Sequence, residues 1–247
     1  MASNPPGECC IRGFIHEGTA TGETKKMGDL DVYFSYPKEF CKKAGKAIVI
    51  LSDVMGIRTN SQLLADYMAS QGYLTVIPDL FRGDRLTPAV FEPNSGFDRQ
   101  AWFAKYGTDA VDPVIESTIK MLREEHGIER LGGVGYCFGG KYVCRFLKDG
   151  KLDAGFTAHP SFVSREELSA IKGPLSIAAA EIDEILTTAL RHESEEILAK
   201  TKQPYQITLY GGVSHGFAVR GDLSKPDIMF AKEQALAQAL AWFGQYL

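Results

Sequence analysis

A chain of 247 residues, 45% hydrophobic and 23% charged, can fill one α/β core but would leave two small ones if divided. Its net charge of −4 gives no basic footprint for nucleic acid, and no apolar run reaches bilayer-crossing length, so neither nucleic acid nor membrane is an expected partner. Five cysteines, odd in number and without CxxC spacing, argue against a disulfide scaffold and a zinc knuckle. The start, "MASNPPGECCIRG", lacks the basic-then-apolar pattern of a secretory signal, so a reducing, cytoplasmic setting is expected. Cys9 and Cys10 read as part of an exposed N-terminal arm. No metal or cofactor is expected.

Short apolar runs alternate with longer amphipathic stretches, without internal repeat or low-complexity linker. This rhythm predicts βαβ units around a mostly parallel sheet. "CIRGFIHEG" (10–18) and "DVYFSYP" (31–37) pattern as an antiparallel edge. "KAIVILSD" (46–53) is a β-branched run suited to a strand buried on both faces. A helix follows over 60–72, with Asn60 or Ser61 as cap and Gly72 as stop. "YLTVIPDLF" (73–81) is the next strand, ended by Pro78.

Residues 82–107 break the rhythm. This connection carries Pro, Gly and the aromatics Phe97, Trp102 and Phe103, as lids and binding loops do. A surface excursion whose aromatics pin a short helix to the body is the plainer reading, and one helix can serve both ends. A helix over 108–127 follows, with Asp112–Pro113 near its first turn and Gly127 as its stop. "IERLGGVGYC" (128–137) then leads as a strand into a turn, and "FGGKYVCRFLKDG" (138–150) leaves it as a helix. Strands are expected at 153–159, 174–181 and 205–212, with helices near 187–202 and 226–246.

The turn reads Gly-x-Cys-x-Gly, with Gly135, Cys137 and Gly139. Such an elbow strains the central residue, pushes its side chain out at the carboxyl end of the sheet, and sets it at the positive end of a helix. That setting favours a thiolate, and the Phe138 N–H is aimed at a reacting carbonyl oxygen. The plainer alternative is a buried cysteine in a dinucleotide-type glycine loop. A nucleophile needs a base and a group that orients the base, in the order nucleophile, acid, histidine.

Of five histidines, His215 in "GGVSHGF" lies in a loop after a strand and before the last helix, where the base belongs. His16, His126 and His192 fall on an early strand or on helices. His159 in "AHPSF" belongs on the active rim as a pocket-lining residue. "AAAEIDEIL" offers Asp183 as the acid, with Glu181 as runner-up and Glu184 beside them.

The motifs "GYCFGG", "SDVMG", "GYLTVIPDLF", "EIDEI" and "SHGF" together resemble the dienelactone hydrolase (carboxymethylenebutenolidase) family over nearly the whole length. Among its members the chain looks most like the small eukaryotic ones, particularly the fungal branch. The resemblance implies one α/β-hydrolase domain, residues 1–247, with about seven or eight mostly parallel strands, helices on both faces, and a lid-like excursion at 82–107. It carries the catalytic roles to Cys137, Asp183 and His215, and it places Asp53 where bacterial members have a glutamate beside the thiol. Loop capping at the strand end is the alternative role for Asp53. Val54 N–H joins Phe138 N–H as the expected oxyanion hole. Bacterial members bind a substrate carboxylate with two arginines; Arg82 and Arg220 lie one position displaced from those places. Trp102, Phe103, His159 and Phe217 are further candidates for lining the substrate site.

These residues imply an esterase or lactonase acting on a small-molecule substrate through a thioester, as a monomer or weak homodimer. Two other readings stand beside it. One is a non-hydrolytic binder, or a relative that cyclises or opens polyketide-like lactones. The other is a redox-sensing thiol, although Cys144, seven positions along and about two helical turns from Cys137, is too far for a resolving role.

Overall fold

The computed structural model describes residues 1–5, 15–38, 45–91, 95–147 and 151–247. Eight strands form one sheet in the order β1-β2-β4-β3-β5-β6-β7-β8. These are β1 (Glu23–Met27), β2 (Leu30–Ser35), β3 (Lys46–Leu51), β4 (Leu74–Pro78), β5 (Arg130–Tyr136), β6 (Ala154–Ala158), β7 (Leu175–Ile182) and β8 (Tyr205–Ser214). β1 and β2 pair antiparallel, β2 pairs antiparallel with β4, and every other pairing is parallel.

The antiparallel edge is where the expected partners change. β2 overlaps the expected 31–37 segment, but its partner is "ETKKM", not the 10–18 segment. Part of that segment, with Cys9 and Cys10, lies outside the described residues; residues 15–18 form no strand. The hairpin closes through Gly28 and Asp29, with Gly28 at φ +62°, where a two-residue turn of this kind needs glycine.

Side chains alternate along β3, so Ile48 and Ile50 enter one core layer while Val49 and Leu51 enter the other. The first layer takes α1 (Thr59–Ser70) and α8 (Pro226–Tyr246), through Leu64, Met68, Ala235 and Phe243. The second takes α3 (Thr108–Glu124), α4 (Phe138–Phe146) and α6 (Thr188–Thr201), through Val111, Ile115, Val143 and Leu198. Helices therefore cover both faces, and the six parallel strands bring their carboxyl ends to one rim.

One helix start and one proline differ from expectation. α1 begins at Thr59, so Asn60 and Ser61 sit inside its first turn. Ser61 Oγ accepts the Arg58 N–H, while Asn60 accepts the His16 N–H and donates to Val219 O, tying three segments together. α3 begins at Thr108 after Gly107, whose carbonyl accepts from Ala110 and Val111, so Pro113 lies inside the helix beyond its first turn. Within 82–107, α2 (Arg99–Lys105) is the short helix expected there. Its Trp102 is buried against Phe81, Tyr106 and Phe138, and Trp102 Nε1 donates to Asp84 O.

The N-terminal residues cross the active rim. Ala2 and Ser3 N–H groups donate to Val163 O, Asn4 N–H donates to Ile185 O, and Asn4 O accepts from Phe162.

Candidate active site

β5 and α4 meet at Cys137, whose φ of 51° and ψ of −110° are strained for a residue with a Cβ. Such strain costs about 1–3 kcal/mol and persists only where neighbours over-determine it. Here the Cys137 N–H donates to Ala158 O and its carbonyl accepts from Gly140 and Ser161. Glycine is obligatory on both sides. A Cβ at Gly139 would stand 1.9 Å from Leu51 O, and one at Gly135 would stand 2.6 Å from Gly139 O. The helix start is thus pressed against the end of β3, which brings Phe138 beside the loop carrying Asp53 and Val54. Among the described residues, neither Val54 N–H nor Phe138 N–H is a donor in the backbone hydrogen bonds of turns, loops and caps.

Asp183 follows β7 and His215 follows β8, and an irregularity between the two strands sets their reach. Ala180 pairs with Tyr210 and Ile182 with Ser214, so two steps on β7 face four on β8. Gly212, at φ +71°, sits in the bulge, and Glu181 Oε2 accepts its N–H. Glu181 is thereby turned onto the bulge. Asp183 instead meets His215 Nδ1 at 2.9 Å through Oδ2 and 3.1 Å through Oδ1. Its Oδ1 also accepts the Ile185 and Leu186 N–H groups, which fix the carboxylate.

His215 hydrogen-bonds on its other side to the Cys137 side chain. Burial alone would lower its imidazole. The charge of the Cys137 sulfur and the Asp183 carboxylate outweigh burial, and His215 is pushed up to about 10. The side chains of Cys137, His215 and Asp183 are almost wholly shut from solvent. Cys144 is a different kind of thiol: burial pushes it up to about 12, which leaves it protonated and unreactive.

The corner after β6 supplies two more neighbours. His159, at φ +40°, packs its ring 4.8 Å from that of His215 and 5.7 Å from that of Phe217. Both its ring nitrogens are buried without a hydrogen-bond partner, and its pKa is lowered, by burial first and then by His215 and Arg220. Ser161 is fully buried, and its Oγ lies 3.3 Å from Cys137 Sγ. Ser161 lies in the "AHPSF" stretch read for His159, and its own contact, with a residue that follows the neighbouring strand, leaves no trace in spacing.

Asp53 is buried and caps its own loop, Oδ1 accepting the Met55 N–H at 3.0 Å. Its Oδ2 takes Arg220 Nη1 at 2.6 Å and Arg58 Nη2 at 3.4 Å. Arg220, at the end of α7 (Phe217–Arg220), is therefore a buried cation paired with Asp53. Arg82 is placed elsewhere: its guanidinium pairs with Asp29 on the exposed hairpin. Beside the Asp53 loop lies a cavity of about 420 Å³, lined by Met55, Ile57, Arg58, Arg85 and Leu86 among others. Phe103, on α2, packs on Trp102 and Phe162, closing an aromatic wall that reaches Phe138. Among the described residues no cluster of His, Cys, Asp or Glu has the makings of a metal site, and no helix is long and apolar enough to cross a membrane.

This sheet order, with a strained elbow between a central strand and its helix, is that of the α/β-hydrolase fold. A model of the dienelactone hydrolase family matches residues 30–247. "Hydrolase pyvD" of Aspergillus violaceofuscus is 48% identical, covering 100% of this chain and 99% of that protein. "Hydrolase tropI" of Talaromyces stipitatus is 43% identical with the same coverage. Among solved structures, a dienelactone hydrolase-like promiscuous phosphotriesterase from metagenomic libraries superposes with a TM-score of 0.73 at 13% identity, covering 92% of this chain and 98% of that one. The chain belongs to the dienelactone hydrolase family, and so to the hydrolases of ester and lactone bonds.

Proposed function

We propose that the chain cleaves an ester or lactone through a thioester on Cys137. The observation that carries this reading is His215, held by Asp183 on one side and hydrogen-bonded to the Cys137 side chain on the other, at a strained glycine-flanked turn. In this reading His215 takes the thiol proton and Asp183 fixes its tautomer and orientation. The thiolate attacks the carbonyl carbon, and the Val54 and Phe138 N–H groups receive the oxyanion. As the tetrahedral adduct collapses, His215 returns the proton to the leaving alkoxide or enolate. It then draws a proton from water, which attacks the thioester and frees Cys137.

Thiolate leaves readily from a tetrahedral adduct, so activated esters and lactones are favoured over simple amides. Asp53 acts indirectly: by capping the Met55 N–H and pairing with Arg220, it fixes the loop that presents Val54. The 420 Å³ cavity beside that loop is lined by none of Cys137, Asp183 and His215, so no part of this reading rests on it. Trp102 and Phe103 on the 82–107 excursion close the site from the side of Phe138, as a lid within one domain. A reducing, cytoplasmic setting suits the free thiols of Cys137 and Cys144.

The test is hydrolysis of p-nitrophenyl esters and cyclic lactones by wild type and by Cys137→Ala, with intact-mass detection of an acyl adduct. Activity lost in the variant, with the adduct confined to wild type, is expected. Full activity in Cys137→Ala would sink the proposal. Tight lactone binding without turnover or adduct in wild type would favour a binding or ring-closing role instead.

A further inference from the structure

We infer that Ser161 is a further catalytic residue, whose hydroxyl donates a hydrogen bond to the Cys137 sulfur and holds negative charge there, opposite His215. The inference rests on the nucleophile reading above and adds a residue to it.

Geometry supplies the first argument. Ser161 Oγ stands 3.3 Å from Cys137 Sγ in a site with no exposure at either residue. The donor direction follows from chemistry. His215, backed by Asp183, is the base that takes the thiol proton, so the sulfur becomes an acceptor and the hydroxyl must supply the hydrogen.

The backbone supplies the second argument. Ser161 sits between two strained non-glycine residues, His159 at φ +40° and Phe162 at φ +61°. A buried corner strained twice within four residues is held by hydrogen bonds at each step. His159 N–H donates to Ala178 O, Ser161 N–H to Cys137 O, and Phe162 N–H to Asn4 O. Val163 N–H completes the series by donating to Ser3 Oγ. One of these bonds runs to the nucleophile's own carbonyl, so Ser161 grips Cys137 by backbone and side chain together. A residue kept only to fill space needs neither the strain nor the double contact.

The ionisable groups of the site and of the loops that frame it come from several elements. They are His215 with Asp183 behind it, His159, the Asp53–Arg220 pair, and Arg58 beyond that pair. None is altered by a substitution at Ser161, so a shift in the sulfur's titration reports the hydroxyl.

The experiment measures kcat/KM for p-nitrophenyl acetate, and the rate of iodoacetamide alkylation, against pH in wild type, Ser161→Ala, Ser161→Gly and Ser161→Thr. Loss of a hydrogen bond to a charged group should raise the acidic limb of both profiles by about one pH unit and lower kcat/KM about tenfold. Both hydroxyl-less variants should shift alike, and the threonine variant should move back toward wild type. An unmoved limb in Ser161→Ala and Ser161→Gly, or an equal shift in Ser161→Thr, overturns the inference. Cys137→Ala separates the two levels. If it is inactive while the Ser161 limbs stay in place, only the serine's role falls; if it is fully active, the nucleophile reading falls and this inference with it.

Discussion

The Asp53–Arg220 pair yields the sharpest stability prediction, because both side chains are shut from water and 2.6 Å apart. At that separation the Coulomb attraction is about 6 kcal/mol for an effective dielectric near 20, and desolvation of the two ions offsets much of it. Removing one partner is a different matter, costing roughly 3–5 kcal/mol because the other charge stays buried. The two single variants should not cost the same. Arg220→Met leaves Asp53 with Arg58 at 3.4 Å and the Met55 N–H, so its loss belongs at the low end. Asp53→Asn keeps the Met55 contact but takes the carboxylate charge from Arg220 and Arg58 together, so its loss belongs at the high end, with a fall in Tm of about 10 °C. Urea and thermal unfolding of wild type, both singles and the double variant close the cycle. The double variant should be more stable than the summed losses predict by about 3 kcal/mol. Additive losses, or two singles within about 1 kcal/mol of wild type, would refute the reasoning, since an exposed pair behaves that way.

Two further outcomes follow from the same geometry. Asp183→Asn should lower kcat/KM by about 10² or more, while Glu181→Gln, whose parent side chain braces Gly212, should stay near wild type in a p-nitrophenyl ester assay. In the second case His215 lies at about 10 in the folded protein, above the ordinary 6.5, so its contribution to stability is fully present below pH 6.5 and is lost as the pH rises through about 10. Cys137→Ala removes the largest cause that raises the imidazole and leaves Asp183, so the window should shift to lower pH. Histidine NMR signals across pH 6–11, with urea melts at the same values, will show whether the two proteins differ in this way.

Most of the fold could be read along the chain because its signals are local. The β-branched run at 46–51, the glycine stop at Gly72 and the Gly-x-Cys-x-Gly turn each state their geometry within a few residues. β1 could not be read that way. "ETKKM" is exposed along nearly its whole length, so no alternation betrays it, and only the hairpin through Gly28 makes it a strand. The loops of Asp183 and His215 were legible by position, but not the bulge that turns Glu181 away from His215. Contacts across the fold were least legible. Arg220 and Asp53 are 167 residues apart, and Ser161 reaches Cys137 from the next strand along, so spacing carries no trace of either.

The crossing of the N-terminal residues over the active rim bears on how the protein should be handled. Ala2 and Ser3 are buried, and with Asn4 they join the corner bearing Ser161 to the loop bearing Asp183. An affinity tag fused ahead of them would pull on hydrogen bonds that hold both loops, and so on two members of the site. The far end makes no such demand. Tyr246 O accepts from Arg130 Nη2 at the opposite end of β5, so a tag after Leu247 departs from the rim that holds none of the chemistry.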